Sequence, residues 1–452
     1  MPLQYAAFAP KGKGPGARHL ALGADFVRSF GPVVIPRLRD TRGFMDATIL
    51  LHWTEFAVRW LHVITAIAWI GSSFYFIALD LGLNRDIPGP ADGEEWQVHG
   101  GGFYHIRKYM VAPEAMPEHL TWFKWESYAT WLSGAALLIL LYWVGAEYYL
   151  IDWNVMALAP WQAIAISAAS LTLGWVAYDR MCKSRLGETP TRLMLLLFAL
   201  IVVLSWGYTQ VFSGRAALLH LGALTATIMT ANVAMIIIPN QKIVVADLRA
   251  GRTPDAKYGK IAKLRSTHNN YLTLPVIFLM LSNHYPLAFA SEWNWLIAAL
   301  VFLMGVTIRH FFNTMHARGG YRWWTWGATA AIFAAIVGLS VLPLTREAPV
   351  EAAALTPRAE RFAGHAGFAE VSDLVYANCA ACHAEQVQMP GLAAAPGGVM
   401  LDSDVRIAAQ AEAIYLQAGV THAMPPGNFA FLTEADRALI RRWYREATRG
   451  AR

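Results

Sequence analysis

The stretch that decides the fold is residues 49 to 79, ILLHWTEFAVRWLHVITAIAWIGSSFYFIAL. It is long and apolar enough to cross a bilayer as one helix, which needs about 20 such residues. The rest of the chain agrees with it, because 56% of all residues are hydrophobic and 15% are charged, against roughly 45–50% and 25% in ordinary globular domains. This composition excludes a disordered chain, and three cysteines are too few for a disulfide-stapled secreted domain.

Seven further apolar stretches predict membrane-spanning helices, so the expected fold is all-α with an eight-helix transmembrane bundle. They are 125–147, 158–178, 193–212, 216–238, 272–290, 293–312 and 324–344. The lipid bilayer is therefore the expected environment of this half. In such a chain a net charge of +6 is first of all a topology signal. We expect no nucleic-acid partner.

The basic residues between the spans predict the orientation, because loops rich in Lys and Arg stay in the cytoplasm. The connections after the second, fourth and sixth spans hold only Arg215. Those after the first, third, fifth and seventh hold Arg85, Arg107, Lys108, Lys124, Arg180, Lys183, Arg185, Arg192, Lys242, Arg249, Arg252, Lys257, Lys260, Lys263, Arg265, Arg309, Arg318 and Arg322. Both termini should therefore lie outside the cytoplasm, which in a bacterial inner membrane means the periplasm.

The predicted domains are an N-terminal extension, 1–44, a transmembrane domain, 45–344, a linker, 345–365, and a small soluble domain, 366–452. The extension is basic, which contradicts an external N-terminus, and it lacks a cleavable signal pattern. Either translation starts at Met45 or the extension is a disordered tail outside the membrane. The linker is rich in Ala, Pro and charged residues.

The motif that carries chemistry is CAACH at residues 379–383, the C-x-x-C-H pattern by which c-type haem is attached. The thiols of Cys379 and Cys382 lie one helical turn apart and can add to two vinyl groups of one porphyrin, and His383 can then bind the iron. A redox dithiol or a chance cysteine pair is the alternative. The predicted periplasmic location favours one covalent haem c, since this haem is attached outside the cytoplasm.

Met424 is the predicted second axial ligand of the iron, because His/Met ligation is typical of cytochromes c. It lies in THAMPPGN, where the prolines and the glycine prevent a helix and hold a loop. Met389 and His422 compete with it. A helix over 368–378 and a last helix capped by Thr433 complete the expected small all-α domain, similar to a class I cytochrome c.

Ionisable residues inside spans are functional candidates, because they are costly in lipid. On the first span His52, Glu55, Arg59 and His62 share one helix face, at spacings of three and four residues. They predict an outer pocket in which Arg59 binds an anion, Glu55 anchors Arg59 and a histidine moves protons. His220, Asn283 and His284 approach the same side. Residues that snorkel or tie helices together are the structural alternative.

A second polar cluster is expected on the inner side. Its members are His99, His105, His268, Asn269, Asn270, His310 and His316. The glycines between His99 and His105 predict a tight loop or a close approach to a ligand. Two histidines on different spans could also bind an additional, non-covalent haem b.

Six strings carry a resemblance to a known family. They are RWLHVITAIAWIGSSFYFIALD (59–80), HGGGFYH (99–105), WFKWE (122–126), VFSGRA (211–216), HNNYLTLP (268–275) and SNHYP (282–286). The chain from about residue 45 to its end resembles the membrane-bound urate oxidase (urate hydroxylase) family with a C-terminal cytochrome c domain. The resemblance carries over Cys379, Cys382, His383 and Met424, and it supplies no substrate-binding residues.

The resemblance implies oxidation of urate to 5-hydroxyisourate, the opening step of purine breakdown. Electrons would pass to the attached haem and on to the respiratory chain through a cytochrome c oxidase or a soluble cytochrome. The main alternative is a membrane-anchored electron-transfer subunit that quinol or a partner dehydrogenase reduces. A purine permease tethered to a redox sensor is a third reading, and the lack of an obvious inverted repeat counts against it.

Overall fold

The computed structural model describes residues 47–449 apart from 110–112, 114–115, 154, 342–354, 391, 393, 422 and 429. The chain is mostly helical, with 71% helix. Its described residues fall into two units, 47–53 and 54–449. In the first unit the described residues, 47–53, are helical. The predicted extension and most of the predicted linker lie outside the described residues.

The helices of the apolar half follow one another along the chain. They are α1 (Ala47–Gly82), α2 (Trp125–Leu137), α3 (Pro160–Lys183), α4 (Pro190–Thr209), α5 (Gly214–Ala231), α6 (Ile238–Arg249), α7 (Ala256–Ser282), α8 (Pro286–Phe289), α9 (Asn294–His316) and α10 (Trp324–Val341). Wider π turns follow α2 and α5, at Leu138–Trp143, Ala146–Leu150 and Asn232–Ile237, and a 3₁₀ turn spans Arg185–Glu188.

Five helices in the described residues are long and apolar enough to cross a membrane. They are Ile49–Gly82, Pro190–Thr209, Gly214–Arg249, Asn294–His316 and Trp324–Val341. Their outer faces expose large apolar side chains such as Trp60, Ile67 and Leu195, each at about two-thirds of its area, which suits lipid rather than water. Several helices could therefore span a membrane, and the number eight stays a prediction.

Two predicted spans differ from the helices found. Residues 125–147 do not form one regular helix, because the π turns on either side of Val144 and Gly145 interrupt it. Residues 272–290 do not form one span either: α7 begins at Ala256, sixteen residues earlier than predicted, and ends at Ser282. Residues 256–271 therefore belong to α7, and Arg265, His268, Asn269 and Asn270 among them are buried in the bundle.

The centre of the apolar half is α5, which packs against α2, α3, α4, α7 and α9 and is buried along most of its length. Small residues let its neighbours approach closely, as in other membrane bundles. At the α7–α9 contact, a Cβ on Gly305 would lie 2.7 Å from the Pro275 side chain. Glycine is thus required there by the packing.

A β-hairpin between α1 and α2 corrects the all-α prediction. Strands β1 (Gly93–His99) and β2 (Gly102–Lys108) pair antiparallel, with His99 opposite Gly102. Gly100 and Gly101 have positive φ angles of 58° and 82°, which a two-residue hairpin turn of this kind requires. The glycine run therefore makes the predicted tight loop, and the strands around it were missed.

The C-terminal segment is a separate helical cluster. It contains α11 (Pro357–Ala363), α12 (Phe368–Cys379), α13 (Asp404–Ala409), α14 (Ala411–Ile414) and α15 (Glu434–Arg449), with shorter turns at Pro396–Gly398, Tyr415–Val420 and Pro426–Asn428. Val371 and Val375 of α12 share a buried core with Ile440 and Trp443 of α15. The predicted helices over 368–378 and after Thr433 are confirmed within a residue at each end.

Thr433 and Asp436 cap α15 reciprocally. Thr433 Oγ1 accepts from the Asp436 N–H at 3.2 Å, while Asp436 Oδ2 accepts from the Thr433 hydroxyl and N–H at 2.7 and 2.8 Å. These hydrogen bonds from Thr433 to the ionised carboxylate hold the pKa of Asp436 below its ordinary value. The predicted N-cap is confirmed.

We expect Gly305→Ala to destabilise the α7–α9 contact by about 1–3 kcal/mol, because the added methyl group meets Pro275. The matched control is Gly327→Ala in α10, where a Cβ would meet nothing within 4 Å. Thermal unfolding in detergent should show a lower midpoint for Gly305→Ala alone. Equal midpoints for the two variants would contradict the packing argument.

The depressed pKa of Asp436 predicts an acid-sensitive helix. A carboxylate whose pKa is lower in the folded state stabilises fully above the unfolded value of about 3.9 and loses that contribution as the pH falls through the folded value. Hydrogen exchange of α15, corrected for intrinsic rates, should therefore rise between about pH 4 and 3, and Asp436→Asn should flatten this rise. Asp373→Asn, at an exposed position on α12, is the control and should leave the rise unchanged.

Candidate functional site

The C-x-x-C-H motif follows directly from the end of α12 at Cys379. The backbone N–H groups of Cys382 and His383 both donate to the Cys379 carbonyl, at 3.2 and 2.9 Å. All three side chains are half-buried, and both thiols are free. The motif is therefore wound into one tight turn, which keeps the two thiols and the imidazole within reach of one ligand.

The His383 ring is held by one hydrogen bond, between Nδ1 and the Val399 carbonyl, at 2.9 Å. A carbonyl can only accept, so Nδ1 is the donor, and Nε2 is the nitrogen left to bind a metal. Metal-binding histidines are oriented in this way, by a bond from the ring nitrogen that does not bind the metal. The imidazole is thus in the tautomer that an iron ligand at Nε2 requires.

The thiol of Cys379 does not resemble a reactive redox thiol. Burial, and then the nearby Cys382, raise the pKa of Cys379 to about 11. Disulfide-exchange cysteines in C-x-x-C motifs have lowered pKa values instead, because the thiolate is the nucleophile. A redox dithiol is therefore disfavoured, and the donor set of two thiols and a pre-oriented imidazole fits a covalent haem c.

Met424, the predicted second axial ligand, is half-buried and packs against the C-terminal core. Its loop is fixed by Arg437 of α15, of which only 2% is exposed. Arg437 Nη1 donates to the carbonyls of Ala418 and Met424 at 2.6 and 3.1 Å, and Nη2 donates to Asn428 Oδ1 at 2.9 Å. Arg437 is thus a positioning residue for the Met424 loop.

The two competing ligands differ from Met424 in their surroundings. The Met389 N–H donates to the Ala381 carbonyl at 3.1 Å, so Met389 lies in the turn that directly follows the motif. His422 lies outside the described residues. Met424 remains the residue that we predict as ligand.

A short turn connects the His383 side of the C-terminal segment to the apolar half. Arg215, at the start of α5, donates to the Gly397 carbonyl and lies 5.1 Å from the Phe289 ring centre. Gly398 has a φ of 68°, and a Cβ there would lie 2.8 Å from Phe289. The next residue, Val399, accepts the His383 hydrogen bond. One turn therefore contacts both the imidazole and the membrane half.

The predicted polar face of α1 makes contacts within α1 and with α2. Arg59 donates to Glu55, as predicted for this pair. His62 turns towards α2, where its Nδ1 lies 3.0 Å from the Thr130 carbonyl and 3.1 Å from Ser133 Oγ. The contacts of His62 tie α1 to α2.

His220 does not line an open pocket. The side chain is fully buried, its Nδ1 donates to the Ala216 carbonyl at 2.8 Å, and its Nε2 lies 2.7 Å from Ser167 Oγ. Tyr142, Tyr208 and Phe212 surround the ring. Both nitrogens are engaged, so the His220 ring is held between α3 and α5 and does not line the predicted outer pocket.

A network of buried polar groups joins α3, α7 and the π turn after α5. Arg265 Nη2 donates to Asp179 Oδ1 at 2.7 Å, and Nη1 donates to Asn232 Oδ1 at 3.2 Å. Asn232 Nδ2 lies 2.9 Å from both Tyr178 OH and Asn269 Oδ1. The Tyr178 hydroxyl is also 2.9 Å from His268 Nδ1. Each charged or polar group here therefore has a partner.

A second group lies beside it on α7 and α9. Asn270 Oδ1 accepts from Arg309 Nε at 3.3 Å and from Asn313 Nδ2 at 2.9 Å. Arg309 Nη2 donates to Asn313 Oδ1 at 3.1 Å, and its guanidinium lies 4.5 Å from the centre of the Phe74 ring. This group contains the Asn270 that the sequence singled out.

The predicted inner cluster is thus divided by the fold. His268, Asn269 and Asn270 are buried in the bundle. His105 lies on the hairpin, where it stacks on Trp96 and pairs with Glu94. His310 is exposed beside Trp324. The histidines therefore do not form one site.

Three buried arginines are residues of interest that the sequence did not single out. Arg265 and Arg309 were assigned to inner connections as topology signals, but they lie inside α7 and α9 and are 2% and 6% exposed. Arg437 falls in the same stripe of α15 as Ile440 and Tyr444, at spacings of three and four residues. A charged residue in an otherwise apolar stripe of a helix is the sequence signal that could have indicated the buried Arg437.

Comparison with protein families identifies the apolar half. The model of the urate oxidase N-terminal family matches residues 48–340. The chain belongs to this family. The match spans the helices from α1 to α10 and both polar groups of the bundle, and it ends before the C-terminal segment. Comparisons with curated proteins and with solved structures return no match.

We expect Arg437→Leu to loosen the Met424 loop, because two carbonyls and one amide oxygen lose their charged donor. Hydrogen exchange in residues 423–428 should rise at least tenfold. Arg442→Leu, on the exposed face of the same helix, is the control and should leave exchange unchanged. If both variants exchange at the wild-type rate, Arg437 does not position this loop.

Proposed function

We propose that the protein is a membrane-bound enzyme that oxidises urate to 5-hydroxyisourate and delivers the electrons to its own covalently attached haem c. One observation carries the proposal: a chain of the urate oxidase N-terminal family continues into a helical segment with a C-x-x-C-H turn and an oriented imidazole. The family supports the urate chemistry, and the turn supports the acceptor.

The proposed reaction balances without oxygen as a reactant. Urate and one water give 5-hydroxyisourate, two protons and two electrons; the new C–O bond comes from water, and the purine is oxidised. A haem c held by Cys379, Cys382, His383 and Met424 would supply a one-electron acceptor, so each turnover would need two transfers or a second acceptor. The electrons then leave for a cytochrome c oxidase or a soluble cytochrome of the respiratory chain.

The chain's own residues have distinct roles in this proposal. Cys379 and Cys382 would attach the porphyrin, and His383 Nε2 and Met424 would bind the iron. Arg437 fixes the Met424 loop, and Val399 fixes the His383 ring. The contact of Arg215 with Gly397 keeps this segment against the membrane half, where urate would be oxidised.

We further propose the bacterial inner membrane as the location, with both termini and the C-terminal segment in the periplasm. The support is the excess of Lys and Arg in the connections after the first, third, fifth and seventh predicted spans. This excess remains when the buried Arg265 and Arg309 are left out, because the other connections hold only Arg215.

An additional haem b is not included in the proposal. Such a haem needs two histidines from different helices with free ring nitrogens. His220 has both ring nitrogens engaged in hydrogen bonds and is not available as such a ligand.

The proposal predicts that urate alone reduces the haem. Anaerobic addition of urate to the purified, oxidised full-length protein should produce the absorption spectrum of a reduced c-type haem, at two haems reduced per urate consumed. Cys379→Ala with Cys382→Ala should abolish the covalent pigment. Haem that ascorbate reduces and urate does not would contradict the enzyme and favour an electron-transfer subunit supplied by another donor.

A matched pair of variants tests the contact between the two halves. Arg215→Ala should slow urate-driven reduction about tenfold and leave ascorbate reduction unchanged, because only the internal path uses the contact. Arg322→Ala, an exposed arginine elsewhere on the chain, should change neither rate. Equal urate-driven rates in all three proteins would show that the contact is not on the path.

A further inference from the structure

We propose that Arg309, Asn270, Asn313, His316 and Glu95 form the binding site for a planar oxopurine anion. This inference rests on the proposed urate oxidation and locates its substrate. It moves the substrate site from the outer face of α1, where the sequence suggested it, to the group on α7 and α9 and the adjoining hairpin.

The buried charge of Arg309 has no acidic partner among the described residues. Arg309 is 6% exposed, and in the described part of the chain its hydrogen bonds go only to the neutral amides of Asn270 and Asn313. By contrast, the neighbouring buried Arg265 is paired with the Asp179 carboxylate. A buried cation without an acidic partner is costly, and an anionic ligand would compensate it.

Several buried polar atoms near Arg309 have no hydrogen-bond partner in the described part of the chain. Asn270 Nδ2, His316 Nδ1 and Glu95 Oε2 are buried and have no hydrogen-bond partner among the described residues. Buried polar atoms are rarely left so, and each calls for a ligand or a water. Arg309 bonds through Nε and Nη2, which leaves the donors of Nη1 available as well.

These atoms belong to one place in the fold. Asn270 Oδ1 joins Arg309 to Asn313, and His316 lies one helical turn beyond Asn313 on α9. At the end of α1, a Cβ on Gly82 would lie 3.3 Å from Glu95 Oε2 and 3.9 Å from the His316 carbonyl. The hairpin therefore brings its carboxylate to the end of α9, beside the same group.

The chemistry of the set selects its ligand. Arg309 Nη1 and Asn270 Nδ2 donate, Glu95 Oε2 accepts, and His316 Nδ1 can do either. Urate presents carbonyl oxygens, ring N–H groups and one negative charge in a plane, so it can satisfy donors and acceptor together. Inorganic phosphate would satisfy the donors but would place its charge against the Glu95 carboxylate. The set therefore favours an oxopurine over a simple anion.

Equilibrium binding tests the site separately from turnover. Protein kept reduced by ascorbate under anaerobic conditions cannot oxidise urate, so calorimetry with urate reports binding alone. We expect Arg309→Gln to weaken binding about 10- to 100-fold, the effect of losing a charge-assisted hydrogen bond, and Arg309→Lys to weaken it less. Arg322→Gln, at an exposed position, is the control and should bind as the wild type does.

A second variant keeps the test decisive if Arg309→Gln does not fold. Glu95→Ala lies on the hairpin and should weaken urate binding about tenfold, because an acceptor for a ring N–H is lost. Wild-type affinity in folded Arg309→Gln or in Glu95→Ala, or displacement of urate by millimolar phosphate, would overturn the site. Urate-driven haem reduction that persists in those variants would leave the proposed function standing, whereas its absence in the wild type would refute that function itself.

Discussion

A charged side chain that leaves water needs a partner, and the partners of three buried arginines are the constraint on which this structure depends. Arg265 is held by Asp179 and Asn232, which ties α7 to α3 and to the π turn after α5. Arg437 is held by carbonyls of the loop that carries Met424. Among the described residues Arg309 hydrogen-bonds only to the amides of Asn270 and Asn313 and contacts the Phe74 ring, and it has no acidic partner. Two of the arginines thus organise the chain, and the third is left for a ligand.

The proposed urate site and the turn that holds His383 lie towards opposite ends of α9. The start of α9 lies at the contact with the C-terminal segment, since Asn294 Nδ2 donates to the Phe289 carbonyl and Phe289 touches Gly398. Arg309 lies 15 residues further along α9, roughly 22 Å at 1.5 Å per residue. Electrons that leave the proposed urate site would therefore cross most of a bilayer before they reach the turn that holds His383.

Much of the fold could be predicted from the sequence, because helix periodicity and apolar length are local properties. The amphipathic α12 and α15 and the capping residue Thr433 were found in this way, and five of the apolar stretches form helices fit to cross a membrane. The hairpin was missed, since its strands are short and only its glycine turn has a distinct local signature. The extent of α7 was missed as well, because charged residues at its start resemble a connection.

The candidate sites also differ in whether contiguous sequence or tertiary packing determines them. The sequence by itself determined that Cys379, Cys382 and His383 share one turn, because C-x-x-C-H is a contiguous motif. Only the tertiary structure brought the Val399 carbonyl to His383 Nδ1. It also decided that the His220 ring is held between α3 and α5, that Arg265 is paired with a carboxylate and that Arg309, among the described residues, is not. The reason is physical: partners for a buried charge come from helices far apart in sequence, so whether a charge is compensated is known only once those helices have packed.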